Sequence, residues 1–133
     1  MAIQFSVRVR NARLDAIETA IGVSPVLEIR SGAKPINCAA ADTGTVLASL
    51  ALPSDYMSAA ASGFKQLLGT WQDLSADATG VAGHFRLKGG GTCDMQGDIT
   101  ATGGGGDMLL DNTSLATGQQ FTITGFGITD GNA

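Results

Sequence analysis

The fold is decided by residues 70–99, TWQDLSADATGVAGHFRLKGGGTCDMQGDI, which carry the clearest pattern of two paired strands. Over residues 81–88 the side chains alternate between an apolar face and a polar face, as in a strand with one solvated side. We expect Val81, Gly83, Phe85 and Leu87 to face the core and Ala82, His84, Arg86 and Lys88 to face water. The glycines of residues 89–91 can reverse the chain, and beyond them Met95, Gly97 and Ile99 share one side. The stretch therefore predicts a β-hairpin.

Short apolar segments separated by turn residues continue on both sides of this hairpin. They predict further strands near residues 26–29, 45–52, 64–71, 107–111 and 119–130, and about seven or eight strands in all. At 133 residues the chain is long enough for one domain with its own core. We therefore expect residues 1–133 to form a single, mainly β domain, an antiparallel β-sandwich or jelly-roll-like barrel with one N-terminal helix.

The N-terminal residues allow two readings. In the first, Ser6 caps a helix over residues 7–21 and Gly22 ends it. The stripe at helical spacing that supports this reading consists of Val7, Leu14, Ile17 and Ile21. In the second, residues 3–9 alternate as a strand and the helix begins near Asn11. We expect a compromise, with a strand first and the helix after it, in an N-terminal segment of residues 1–22 that packs on the β domain or extends from it.

Charge is spread unevenly along the chain. The formal net charge of −4 argues against general nucleic-acid binding, which needs a basic surface to neutralise phosphates. Three arginines, Arg8, Arg10 and Arg13, precede the first acidic residue, whereas every charged residue beyond Lys88 is an aspartate. These are either ordinary solvated charges or a basic arm that docks on an acidic surface, such as the C-terminal sheet of a neighbouring copy.

The two cysteines, Cys38 and Cys93, permit a single disulfide. The N-terminal sequence has no apolar core of a signal peptide, and no stretch is long enough to span a membrane. Free thiols in a protein made in the cytoplasm are therefore the expected state, with a disulfide as the alternative. One histidine, His84, and two distant cysteines have no metal-ligand spacing, so no metal site is predicted.

No residue is predicted to be catalytic or to bind a cofactor. His84 has no partner motif and is expected to be exposed on its strand. Residues 103–106, GGGG, are followed by strand-like residues rather than a helix, so they predict a turn or a close backbone approach instead of a phosphate loop. Trp71 is expected to be a packing centre. The aspartates are expected to cap turns, and residues 33–43 are expected to be a surface loop without chemistry.

Four stretches resemble one known family. They are AIQFSVRVRNARLDAIETAIG at residues 2–22, GTWQDLSADATGVAGHFRL at 69–87, TATGGGGDMLLDNTS at 100–114 and TITGFGITDGNA at 122–133. Together they are similar to small virion structural proteins of tailed bacteriophages. The resemblance covers most of the chain and contains no functional motif, so it implies no catalytic, cofactor-binding or metal-binding residue.

The resemblance implies a non-enzymatic virion component made in the host cytoplasm. Its expected role is that of a capsid decoration or cement protein that stabilises the assembled head by contacting the major capsid protein or other virion proteins. Self-association as a dimer or trimer is expected on such a lattice, without a nucleic-acid or membrane partner. The alternative is a tail- or fibre-associated domain that binds host-surface glycans, and a small hydrolase is a third class.

Overall fold

The structure, a computed structural model, describes residues 3–132. In this part of the chain one helix precedes nine strands. The helix is α1 (Val7–Ile21). The strands are β1 (Val26–Ser31), β2 (Val46–Ala51), β3 (Phe64–Gln66), β4 (Gln72–Asp73), β5 (Gly80–Lys88), β6 (Cys93–Ala101), β7 (Met108–Leu110), β8 (Ser114–Leu115) and β9 (Phe121–Thr129).

All of these strands belong to one mixed, open sheet with the order β2-β1-β5-β6-β7-β9-β3, in which β4 also pairs with β9 and β8 with β5. Neighbouring strands are antiparallel except β6 and β7, which are parallel. The prediction of a mainly β fold with one N-terminal helix is confirmed. The antiparallel sandwich or jelly-roll arrangement is not confirmed, because the strands form a single sheet that contains a parallel pair.

The four consecutive glycines explain how two strands close in sequence can be parallel. Parallel neighbours usually need a connection of about a dozen residues or more, but here residues 102–107 suffice. Gly103 and Gly105 have φ angles of 88° and 80°, which only glycine adopts easily. A Cβ atom on Gly106 would lie 2.9 Å from the Thr100 hydroxyl oxygen. The predicted turn with positive φ and close approach is confirmed.

The predicted hairpin is strands β5 and β6. Phe85 pairs with Gly97 and Leu87 with Met95, and the Phe85 ring fills the space above Gly97. The predicted alternation fails at the start of β5, where the register against β1 shifts at Gly83. This irregularity reverses the faces, so Ala82 is buried and Val81 is 61% exposed.

The core is centred on Trp71, as predicted. The Trp71 ring lies 6.3 Å from the Tyr56 ring and 5.6 Å from the Phe126 ring, measured between centroids. Phe126 in turn contacts Phe85 edge-on at 5.6 Å. Because β6 and β7 lie between the strands of these two phenylalanines, the sheet must curl around its own core.

Helix α1 begins directly after Ser6, so the expected compromise of a strand before the helix is wrong. The Ser6 hydroxyl accepts a hydrogen bond from the Val9 amide at 3.3 Å, and this cap allows the helix to start at Val7. Gly22 ends it with φ at 91° and donates to the Glu18 carbonyl. Of the predicted apolar stripe only Leu14 and Ile21 are fully buried.

Candidate functional site

The outer face of strands β1, β5 and β6 carries a group of charged side chains. Cross-strand pairing places Glu28 opposite Arg86 and Arg30 opposite His84. Residues 33–43, which we call the lid, fold over this face. His84 is 0% exposed and Arg86 is 2% exposed, so the prediction that this face is solvated is wrong. The predicted alternation holds over residues 84–88, but the lid, rather than water, meets the polar side.

Arg86 holds the lid through its backbone. Its Nη2 donates to the Cys38 carbonyl at 2.8 Å, and both terminal nitrogens donate to the Ala40 carbonyl at 3.2 Å. Its Nη1 also forms an ion pair with Asp42. An irregular loop satisfies few of its own carbonyl groups, and the fixed fork of a guanidinium can satisfy several at once. Arg86 therefore replaces the hydrogen bonds that a regular element would make internally.

Asp42 links three strand cations at the edge of the lid. Besides Arg86, its carboxylate lies 2.8 Å from Lys88 Nζ and 3.2 Å from Arg30 Nη2. Glu28 completes the network at 3.0 Å from Lys88 and 2.9 Å from Arg30. The hydrogen bond from Lys88, with further contributions from Arg86 and Arg30, holds the pKa of Asp42 below its ordinary value. The same hydrogen bond raises the pKa of Lys88.

His84 lies at the centre of the covered face, contrary to the prediction of an exposed histidine. Its Nδ1 is 2.8 Å from the Gly32 carbonyl oxygen, which can only accept, so Nδ1 carries the proton. Three further buried atoms on this face, His84 Nε2, Arg86 Nε and Gln96 Oε1, have no hydrogen-bond partner among residues 3–132. A histidine sealed in this way cannot reach a substrate in the closed structure.

A disulfide joins the lid to the sheet. Cys38 in the lid and Cys93 at the start of β6 are bonded, with their Cα atoms 5.1 Å apart. The expectation of free thiols is therefore wrong. Folding of the lid over the sheet brings together cysteines that are 55 positions apart, which spacing alone could not predict.

The lid combines a fixed backbone with an exposed apolar tip. Gln96 donates to the Pro35 carbonyl at 2.7 Å, and Lys34 forms an ion pair with Asp98 at 3.0 Å. Between these anchors and the disulfide, Ile36 is 91% exposed. The Ile36 side chain is therefore held in the open by a loop that is bonded to the sheet on both sides.

A second polar cluster fastens helix α1 to β3. Lys65 is 1% exposed, and its Nζ lies 2.9 Å from both Asp15 and Glu18 and 2.8 Å from the Ser58 carbonyl. Burial alone would lower the pKa of Lys65, but the hydrogen bonds to the two carboxylates outweigh it and leave the pKa raised. The pKa of Asp15 is lowered, chiefly by Lys65. A groove of about 670 Å³ runs beside this cluster.

The predicted basic arm docks on its own chain. Arg13 lies 3.1 Å from the Asp130 carboxylate, and Arg10 donates to the Asp130 carbonyl at 3.4 Å. Arg10 and Arg13 therefore contact the C-terminal end of their own chain, and Arg13 remains about half exposed to solvent. Docking of the arm on a neighbouring copy stays a prediction. Arg8 is exposed and has no polar partner among residues 3–132.

Residues 3–132 lack two features that would point to particular functions. No group of three or more histidine, cysteine, aspartate or glutamate side chains comes together as a metal site would require. No helix in this part has the length and apolar character needed to cross a membrane. Comparison with known proteins gives no match to a protein family, to a curated protein or to a solved structure.

The sequence did not predict the buried ion pairs of Asp42 and Lys65 or the role of residues 33–43 as a cover over the sheet. One signal was available: a strand with basic residues at positions 84, 86 and 88 lies near one that carries Glu28 and Arg30, and such charges are rarely left without partners. The acidic partner, Asp42, lies in the loop that also carries Cys38. This combination could have indicated a covered, ion-paired face.

Proposed function

We propose that this chain is a structural component of a tailed-phage virion, a capsid decoration or cement protein that stabilises the assembled head. The resemblance in residues 2–22, 69–87, 100–114 and 122–133 suggests the class of protein. The observation that carries the mechanism is Ile36, 91% exposed at the tip of a lid held by a disulfide and by Arg86. The chain acts by adhesion and has no catalytic role.

Adhesion favours a rigid contact loop. Burial of apolar surface contributes roughly 25 cal/mol per Å², and ordering a flexible loop on binding would offset much of that gain. Because the lid is already ordered, burial of Ile36 against a capsid protein loses little conformational entropy. A partner that binds only the assembled shell then shifts the equilibrium away from disassembly.

The use of the charged residues also favours a structural role. Apart from Arg8, every lysine and arginine bonds to a carboxylate or a backbone carbonyl of the same chain. Five aspartates accept hydrogen bonds from backbone amides, namely Asp15, Asp73, Asp94, Asp107 and Asp111. Few charged groups are left to polarise a substrate or to neutralise phosphates, which supports a protein without enzymatic activity and without a nucleic-acid partner.

We further propose that the two halves of the curled sheet pack face to face, as in a β-sandwich or a jelly-roll-like barrel. The contact between Phe85 on β5 and Phe126 on β9, with their centroids 5.6 Å apart, supports this packing. It brings together strands that the sheet order separates by β6 and β7. An experimental structure in which these two rings lie on well-separated parts of the sheet would contradict it.

Location in the particle tests the proposed function. Cryo-imaging of purified phage particles with the protein labelled should place it over the outside of the head, including heads emptied of DNA. Label confined to tails would support the tail or fibre alternative, and absence from particles would overturn the virion assignment. Turnover of a glycan by the isolated protein would overturn the non-enzymatic role.

A matched pair of variants tests the contact itself. Ile36→Asp should weaken binding to heads that lack the protein by at least about 10-fold, the loss expected for removing one well-buried apolar contact. Leu74→Asp, at a side chain that is 66% exposed outside the lid, should bind as the unchanged protein does. Equal binding of both variants would contradict a role for Ile36.

A further inference from the structure

The two ends of the sheet differ in whether their outer edge is already occupied. Strand β3 ends one side, and its own chain covers it: the Ser58 amide donates to the Gln66 carbonyl at 2.8 Å and the Leu68 amide to the Tyr56 carbonyl at 2.9 Å. Strand β2 ends the other side. On the outer edge of β2, among residues 3–132, only the Leu47 carbonyl accepts hydrogen bonds. They come from the Asp77 amide at 2.8 Å and the Ala78 amide at 3.4 Å. The rest of the β2 edge lies open.

The pairing of β2 with β1 shows which groups point outward. The Leu52 amide donates to the Pro25 carbonyl, so these two residues form a hydrogen-bonded pair. In an antiparallel ladder every second residue repeats this arrangement, which directs Leu50 and Ala48 towards β1. Ser49 and Ala51 therefore direct their N–H and C=O groups away from the sheet. Neither residue has another hydrogen-bond partner among residues 3–132.

We propose that strand β2 is a homodimer interface, at which a second copy of this chain adds its own β2 in antiparallel orientation. With Ser49 of each copy opposite Ala51 of the other, both residues form hydrogen-bonded pairs, and the two-fold axis passes beside Leu50. This register uses all four outward groups of each copy in four interchain hydrogen bonds. The sheets of the two copies become one continuous sheet.

Charge favours a second copy over an unrelated partner. A two-fold axis places each side chain near the same side chain of the other copy, so a charged strand would repel itself. Residues 43–54 contain no charged side chain. Glu28, the β1 neighbour of Ser49, is already neutralised by Arg30 and Lys88. A register shift at Leu47 marks one end of β2 and Pro53 follows its other end, but residues 48–52 between them contain no lysine, proline or bulge that would block an added strand.

This inference does not depend on the virion assignment, because its test uses only the purified protein. Sedimentation equilibrium of the oxidised chain should give a dimer that dissociates on dilution. Ala51→Pro removes an N–H that makes no bond within the chain, so the fold should be kept. It deletes two of the four interchain hydrogen bonds, and at about a factor of five for each the dissociation constant should rise roughly 30-fold.

Two further variants guard against misfolding and nonspecific effects. Ser49→Lys places a positive charge on each copy of the strand and should also give monomers, with an unchanged circular dichroism spectrum. Gln66→Lys, on the covered edge strand β3, should leave the dimer intact. In hydrogen exchange, the amides of residues 49 and 51 should gain protection as protein concentration rises.

Three results would overturn the proposal. They are a monomer at every concentration, a trimer, and a dimer that persists unchanged in both Ala51→Pro and Ser49→Lys. Each of these results would leave the proposed location in the particle untouched. Conversely, a dimer formed through β2 by a protein absent from particles would uphold this inference and refute the virion role.

Discussion

The lid and helix α1 are both fastened to the sheet by a buried cation, but they depend on it differently. Arg86 bonds mainly to the backbone carbonyls of the lid, whereas Lys65 bonds mainly to side-chain carboxylates of the helix, Asp15 and Glu18. A helix satisfies its own backbone, and α1 also buries Leu14 and Ile21. The lid makes only a few internal hydrogen bonds, from the Ala40 amide to Asn37 and from the Thr43 hydroxyl to the Ala33 carbonyl, so its order depends more on its bonds to the sheet.

This comparison teaches that an irregular segment can be as well anchored as a helix if one side chain meets its carbonyl groups. The lid should therefore be more sensitive than the helix to loss of its fastenings.

Loss of the disulfide should cost the most. Replacing both cysteines, Cys38→Ser with Cys93→Ser, should lower the free energy of unfolding by about 4 kcal/mol, the chain-entropy value for a loop of this length. Urea titration followed by circular dichroism gives this quantity. Reduction of the unchanged protein serves as the control and should produce the same loss. A loss below about 1 kcal/mol would mean that the noncovalent bonds alone hold the lid.

Removal of the guanidinium should be nearly as damaging. Arg86→Met leaves the lid carbonyls and Asp42 without their buried donor, and should lower the free energy of unfolding by about 3 kcal/mol. Arg86→Lys keeps the charge but lacks the planar fork, so its free energy of unfolding should lie between those of the unchanged protein and Arg86→Met. The exposed Arg13→Met is the matched control, with an expected loss under about 1 kcal/mol. Equal effects of Arg86→Met and Arg13→Met would contradict the account.

The equivalent change at the helix should be milder. Lys65→Met should lower the free energy of unfolding by about 2 kcal/mol, because Asp15 and Glu18 are partly exposed and water can solvate them once the lysine is gone. The helical signal in circular dichroism should remain in the folded variant. If Lys65→Met proves more destabilising than Arg86→Met, the proposed difference between the two regions is wrong.

Low pH should slightly weaken the attachment of both the lid and helix α1 to the sheet, and so lower the free energy of unfolding. The folded-state pKa values of Asp42 and Asp15 lie below the ordinary 3.8, so the stability they contribute is present above that pH and is lost as the pH falls through the folded values. Each should contribute at most about 1 kcal/mol, since both carboxylates are partly exposed. Unfolding titrations below pH 4 should show smaller losses in Asp42→Asn and Asp15→Asn. Unchanged pH profiles in both variants would contradict the assignment.

Stability should also fall at high pH, and Tyr56 is the main titrating residue there. Burial, with smaller contributions from Glu18 and Asp94, raises the pKa of Tyr56 to about 12 from its ordinary 10.0. The folded chain therefore keeps a proton that the unfolded chain loses, and this stability is present below pH 10 and is lost as the pH rises towards 12. Between neutral pH and pH 12 the free energy of unfolding of the unchanged protein should therefore change by an amount that differs from the change in Tyr56→Phe, which has no phenol to titrate. Unfolding titrations of both proteins over this range measure the difference. The raised pKa values of Lys65 and Lys88 act in the same direction.

Local patterns were enough to predict most of the elements. The β5–β6 hairpin follows from alternation and glycine, and the helix follows from the Ser6 cap and the Gly22 stop. The strand order and the parallel β6–β7 pair could not be predicted, because they depend on contacts between segments distant in sequence. The bulge at Gly83 was also hidden, since its partner strand had to be known before a shift in register could be seen.

The covered polar face was missed for a related reason. Alternation shows which residues share a face, but it does not show whether water or another segment meets that face. His84 and Arg86 looked solvated because nothing in their own strand covers them. The residues that cover them, including Cys38 and Asp42, lie more than forty positions away. Only the folded chain brings the two together.

Backbone order of the lid shows whether its bonds to the sheet hold it in place. Amide relaxation measured by NMR on the oxidised protein reports an order parameter for each residue of the lid, with Pro35 excepted. We expect values of about 0.85 across the lid, equal to those of strands β1 and β5. Values below about 0.6 in the lid, beside a rigid sheet, would show a mobile loop and would contradict the claim that Arg86 and the disulfide hold it in place.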